Sequence, residues 1–361
     1  MTVQNLSAEL QLQFIGYIQR LVVEGDFSAT YKFALLNALA DICIETPQNG
    51  FSSKLEIPFN RIIEKMIQLY WDQASPFNTS NSETPNILYQ NSASQVKIIT
   101  TINKLKANGT HSFSLFLRAP VRIETIKSLL DSIKTGPIER LQTLSGQCDA
   151  FLYPIQFKSS ASQSYSIVLN EGIADCFRKF YDLVIHIARN AWTKKVVSIN
   201  KKKGILNNNP SVEAFLFSND RMNLSSILPI LTDIQSNKCF YCQKTISSSD
   251  ESNVDHFIPF SRYSNDTAHN FVMAHARCNN SKSDYLAAFV HRDRWLQQNL
   301  DTYRRVIDEE LKLHVHSDPD LTLAISNWAY SQASDINAKL WIAKNEYQTI
   351  KVNPYLDMVA E

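Results

Sequence analysis

Cys239 to Leu286 reads CFYCQKTISSSDESNVDHFIPFSRYSNDTAHNFVMAHARCNNSKSDYL, and this stretch decides what can be said of the fold. Cys239 and Cys242 form a C-x-x-C pair, and His275 and Cys278 form an H-x-x-C pair that opens 33 residues after Cys242. Two such pairs, a few tens of residues apart, can close a tetrahedral zinc site, because zinc takes sulfur and nitrogen and stabilises the thiolate form. The fourth position falls to His275 or to another group such as His269. Four protein ligands leave no open position for water, so such a site is structural. A strand–helix unit this short has little core of its own, and the ion would supply folding energy.

Inside that frame lies Asp255-His256, within NVDHFIP. Val254, Phe257 and Ile258 predict a short strand that Pro259 ends. Neighbouring strand residues point to opposite faces, so an Asp-His pair shares one site only at a strand end or a bulge. Asn270 opens NFVMAH, which predicts an antiparallel partner strand. Arg277 to Lys282 then opens a helix, which places Asn279 and Lys282 at i and i+3 on one face.

The order C-x-x-C, D-H-x-x-P, N-F with apolar residues, then H-x-x-C-N-x-x-K resembles the HNH (ββα-metal) endonuclease family over about residues 238–290. Two positions depart from the family pattern. His275 stands where the second pair has its first cysteine, and Asn279 stands at the last letter of the family's name. An amide oxygen there can still ligate a hard cation. The resemblance implies His256 as general base on the attacking water. It implies Asp255 and Asn279 as oxygen ligands of a catalytic Mg²⁺ or Mn²⁺, and Asn270 as the residue that fixes the loop and orients His256. Cys239, Cys242, His275 and Cys278 would hold the structural Zn²⁺. Lys282, Arg277 and Arg262 become candidates for phosphate contact. The implied partner is DNA, and the implied activity is hydrolysis of its phosphodiester bonds. A zinc-stabilised nucleic-acid-binding or scaffold protein without cleavage is the alternative.

Working outward, the fold class expected is mainly α, with a small α+β module at 238–290. Residues 1–75 carry helical stripes, among them Leu35, Leu36, Leu39, Ile42 and Cys43, and later Ile62, Ile63, Met66, Ile67, Tyr70 and Trp71. Residues 76–237 read as a second, mainly helical region. It is preceded and opened by a Ser/Asn/Pro-rich linker at 72–93. Helices are expected at 93–105 and 123–133, a hairpin at 151–169, with strands at 151–157 and 165–169, and one long helix at 172–197. That helix runs into Lys201, Lys202 and Lys203, the densest positive charge in the chain and a candidate phosphate contact. Residues 291–361 are expected to pack as helices on the rest, with helical periodicity at 283–313 and 318–347. A protein partner, or self-association, is expected through the helical regions.

With 361 residues, 44% of them hydrophobic, the chain can bury a sizeable core. A formal net charge of +1 excludes a wholesale basic coat but permits a local basic groove. No apolar run reaches the length of a membrane span, and the start MTVQNLSAELQLQFIG lacks the plan of a signal peptide. The expectation is a soluble, cytoplasmic protein with no membrane partner. Cys43 and Cys176 sit on apolar helical faces and read as core, which leaves the Cys239–Cys278 cluster for metal. A helical front end ahead of such a nuclease has the layout of bacterial defence and restriction-type effectors.

Overall fold

A computed structural model describes residues 6–25, 28–47, 54–77, 86–155, 158–159, 165–206, 212–217, 224–264, 266–312 and 314–350. It divides into two compact units. The first holds Met1–Ile44 with Gln48–Ser218, and the second holds Glu45–Pro47 with Asn219–Glu361. Among the described residues, no helix is long and apolar enough to cross a membrane.

The first unit is mostly helical. α1 (Ala8–Val23) starts at Ser7, whose Oγ accepts the Leu10 amide at 3.2 Å, an N-cap that satisfies one of the helix's orphan donors. α2 (Tyr31–Glu45) is buried from Lys32 onward, so the apolar stripe read from sequence understates it: a helix enclosed on every side belongs to a core. Cys43 lies in that core, and Tyr181 donates to the buried Asp41 at 2.8 Å. β1 (Glu56–Pro58), α3 (Phe59–Trp71), α4 (Lys97–Ala107), α5 (Phe113–Arg118) and α6 (Arg122–Ile133) follow. α4 stops where Gly109 takes a φ of +92°, as the Asn108-Gly109 pair predicts.

Two expectations in this unit need correction. The first strand of the expected hairpin is absent from 151–155. β2 (Thr143–Leu144) and β3 (Gln147–Cys148) pair first, and β4 (Lys158–Ser159) then pairs with β5 (Tyr165–Val168), which also takes β1 on its other edge. Residues 156–157 and 160–164 of the expected hairpin lie outside the described residues. Leu152 and Tyr153 are buried without a ladder, because the Gln142 side chain serves in place of a neighbouring strand. Its Oε1 accepts from Leu152 N at 2.6 Å, and its Nε2 donates to Tyr153 O at 2.7 Å. The expected single helix at 172–197 is two, α7 (Ile173–Lys179) and α8 (Tyr181–Lys202), with Cys176 buried in the first. The break at Phe180 has no Gly or Pro to announce it. Phe180 leaves helical dihedrals, at φ −107° and ψ 24°, and its ring stacks on Phe14 at 6.2 Å. α9 (Val212–Phe217) ends the described part of the unit.

The second unit opens with α10 (Leu228–Ile234) and carries the motif region as a two-stranded antiparallel ribbon. β6 (Ser252–His256) pairs with β7 (Phe271–His275) in a register that sets Asp255 against Val272 and His256 against Phe271. α11 (Ala276–Lys282) follows β7 directly and ends at Ser283, where φ is +48°. The outer edge of β7 is closed by a side chain rather than a strand. Gln235 Oε1 accepts from Met273 N at 2.8 Å, and its Nε2 donates to Met273 O at 2.8 Å.

The continuous helix expected at 283–313 is interrupted. Residues 283–288 are non-helical, because Leu286 O and Ala288 N bond to the backbone of Trp341 at 2.8 and 2.7 Å. α12 (Phe289–Trp295), a π-helical segment at Leu296–Thr302, and α13 (Arg304–Leu311) complete it. α14 (Pro319–Asp335) begins at Asp318, whose Oδ1 caps Leu321 N. The expected helix to 347 stops here. Asn337 takes a φ of +49° and Ala338 N bonds to Ala333 O at 2.8 Å, a Schellman stop. β8 (Lys339–Ala343) and β9 (Glu346–Thr349) then form a hairpin that turns at Asn345, φ +65°. Residues 351–361 lie outside the described set.

Trp295 anchors the ribbon to α12. It is fully buried, stacks on Phe257 at 4.7 Å with 6° between the rings, and donates from Nε1 to His269 O at 2.9 Å. Trp295→Ala is expected to cost about 3–5 kcal/mol, read as a lower urea midpoint with circular dichroism.

Candidate functional site

The motif cysteines come together. The ligand atoms of Cys239, Cys242, His275 and Cys278 all lie within 4.8 Å of one another. Cys242 Sγ is 3.4 Å from His275 Nδ1, and the His275 amide approaches Cys239 Sγ at 3.4 Å. A tetrahedral ion with sulfur at about 2.3 Å and nitrogen at about 2.1 Å spreads its ligand atoms roughly 3.5–3.8 Å apart, so the cluster has the size and donors of a zinc site. The backbone explains the convergence. The C-x-x-C turn closes with Gln243 N on Cys239 O at 2.9 Å, and Gln243 itself takes a φ of +59°. The other pair straddles the junction of β7 and α11, where the chain leaves the strand.

The surroundings suit such a site. Burial, then the sulfurs of Cys239 and Cys242, push the Cys278 thiol up to about 12. That cost of ionisation is what a bound cation removes. His275 is buried with no hydrogen-bond partner at Nε2 among the described residues, and the Asp250 carboxylate stands 3.8 Å from that nitrogen. A carboxylate beside the far nitrogen of a metal-binding imidazole favours the proton there and the lone pair on the nitrogen that faces the metal. Arg294 donates to the carbonyls of Phe240 and Tyr241, at 3.0 and 3.3 Å, and pins the turn. His269, the other candidate for the fourth position, is elsewhere. Its Nε2 donates to Arg304 O at 3.2 Å, and burial lowers its pKa.

Asp255 and His256, adjacent at the end of β6, take different partners. Asp255 is buried toward α11, and its Oδ2 accepts from Tyr241 at 2.5 Å and from Lys282 Nζ at 3.0 Å. Burial, then the carboxylate, raises the Tyr241 hydroxyl pKa well above its ordinary value, so it stays a donor. Lys282 also donates to His256 O at 2.9 Å and is fully buried. The expected phosphate contact at Lys282 does not fit this placement, since its ammonium is spent inside the module. Asn279 lies one turn earlier on α11, half-buried, with no side-chain partner among the described residues. Asn270 fixes the loop as a two-point clamp on one residue: its Oδ1 accepts Ile258 N at 2.8 Å, and its Nδ2 donates to Ile258 O at 3.0 Å.

The His256 ring is at the strand end, half-buried between Phe260 and Phe271 at 5.4 and 5.0 Å. Its Nε2 is 2.6 Å from Asp266 Oδ1, so the ring is held by Asp266 and not by Asn270. Arg277 is exposed and Arg262 half-buried. In the first unit Lys201, Lys202 and Lys203 are exposed. Lys203 donates to Ala93 O at 3.0 Å and stands 4.3 Å over the Tyr89 ring.

A family model described as a domain of unknown function (DUF8808) matches residues 11–216 of the 361. The chain belongs to that family. A second model, described as HNH endonuclease, matches residues 239–288. No curated protein and no solved structure matches the chain.

Within the HNH segment, sequence reasoning missed Tyr241, hidden between the two cysteines as an ordinary aromatic, and Asp266, hidden in a polar loop. Only the fold brings them to Asp255 and His256. Lys282→Met leaves a buried carboxylate without its cation. It is expected to cost about 3–5 kcal/mol, measured as the shift of the urea midpoint against wild type.

Proposed function

We propose that the second unit is a metal-dependent HNH nuclease that hydrolyses phosphodiester bonds in DNA, built on a ββα-metal module with a structural zinc. The observation that carries the reading is the packing of Asp255 against α11, the helix that also presents Asn279, inside the segment that matches the HNH endonuclease family. A neutral imidazole at His256 takes the proton of the attacking water. Asp255, whose Oδ1 has no partner among the described residues, and Asn279 offer two oxygens to one hard divalent cation, Mg²⁺ or Mn²⁺. When bound, that cation neutralises charge on the leaving oxygen. Asn270 keeps the strand end in place through Ile258.

Cys239, Cys242, His275 and Cys278 are the zinc ligands in this reading, and their ion fastens the turn to the strand–helix junction. Arg277, Arg262 and the exposed lysines at 201–203 are phosphate contacts, each on its own unit. The first unit positions substrate or a protein partner, and by layout alone the whole is a defence or restriction-type effector in the cytoplasm.

With Mg²⁺ or Mn²⁺, the purified chain is expected to cleave or nick plasmid DNA. His256→Ala is expected to lower the rate at least 100-fold with an unchanged urea midpoint. A wild-type chain inert on plasmid, single-stranded DNA and RNA would remove the nuclease reading. Cys239→Ser is expected to reduce bound zinc, by elemental analysis, from one equivalent to well below it, and to lower the melting temperature. Unchanged zinc would exclude this ligand set.

A further inference from the structure

The nitrogen that a general base presents to water is decided by what its other nitrogen is doing. A neutral imidazole has one N–H donor and one lone-pair acceptor, and a carboxylate can only accept. Nε2 of His256 meets Asp266 Oδ1 at 2.6 Å, shorter than most N–H···O bonds and in the manner of a charge-assisted one. The contact is sheltered, with side-chain exposures of 13% for His256 and 18% for Asp266. The ring is also held at its faces and edges by Phe260 and Phe271. The loop that carries Asp266 is tied down just beyond it. Thr267 bridges to His316, and Ala268 N bonds to His316 O at 2.9 Å.

Resting on the nuclease reading above, we propose that Asp266 is the positioning residue of the reaction: it accepts the Nε2 proton of His256, fixes the ring and its tautomer, and leaves Nδ1 as the nitrogen that faces water. Nδ1 has no protein partner among the described residues, which is what a base that must receive a proton requires. Asp266 Oδ1 is taken by the imidazole, and the metal dependence of its variants separates this role from metal ligation. A carboxylate that accepts from one ring nitrogen in this way orients a reacting or ligating histidine and sets which nitrogen carries the proton.

The test uses the full chain on supercoiled plasmid with Mg²⁺ or Mn²⁺, together with ¹⁵N spectra of the imidazole nitrogens. Asp266→Ala is expected to lower kcat about 10–100-fold, with KM and the metal concentration for half-maximal rate unchanged. Asp266→Asn is expected to lose at least as much, because its amide can donate to Nε2 and hold the wrong tautomer. Asp266→Glu is expected to recover part of the rate. Wild-type spectra should show His256 protonated at Nε2, and Asp266→Ala should show a mixture of tautomers. Wild-type kcat in Asp266→Ala, alongside an inactive His256→Ala, would overturn the proposal. So would a raised metal requirement, which would make Asp266 a metal ligand, or a wild-type ring protonated at Nδ1. A wild-type chain that cuts nothing would defeat the nuclease reading instead, and the spectra would still decide the tautomer.

Discussion

One buried ammonium joins the two halves of the HNH module. Lys282, at the last turn of α11, reaches both the Asp255 carboxylate and the backbone carbonyl of His256. Removing a lysine and an aspartate from water is expensive, and the pair repays that cost only when its remaining hydrogen-bonding capacity is filled. Here it is filled. Tyr241 donates to the same carboxylate oxygen, and the His256 carbonyl takes a further proton of the ammonium. The helix is thereby held at a set distance from the strand end. Asn279, Asp255 and the backbone of His256 all inherit their positions from that contact.

The sulfur and nitrogen cluster performs the complementary task at the other end of the helix. An ion held by these four ligands would fasten the Cys239–Cys242 turn to the point where β7 becomes α11. Gln235 and Arg294 support the same turn and strand through backbone groups. A two-stranded ribbon and a two-turn helix bury little on their own. Cross-links of this kind give the small element its rigidity.

Sequence legibility followed the range of the interactions. The cysteine pairs, the strand at Asp255, its partner after Asn270 and the helix from Arg277 were readable because each depends on near neighbours. The helices of the first unit were readable from periodicity, though α2 is enclosed more completely than its stripe indicates. The failures lie where distant residues decide. The chain leaves helix at Phe180, whose ring meets Phe14, and Gln142 replaces the strand partner of Leu152. Trp341 draws 286–288 out of helix. Asn337 was a local stop signal that went unused, outweighed by the apolar spacing of Leu340 and Trp341. At the site itself, residue types and order revealed the metal-binding candidates, but the burial of Lys282 and the approach of Asp266 to His256 exist only once the chain is folded.

The hairpin of β8 and β9 bears on where the module can be cut. Trp341 bonds through its backbone to Leu286 and Ala288, donates from its indole to Ser281 Oγ at 3.1 Å, and sets its ring 5.1 Å from that of Tyr241. The segment that matches the HNH family ends at residue 288, more than fifty residues short of this support. A fragment trimmed to the matched segment would expose the aromatic face behind the Asp255 carboxylate to solvent and strip the exit of α11 of its backbone partners. The support of the site therefore reaches beyond the signature that reveals it, to the strand that carries Trp341.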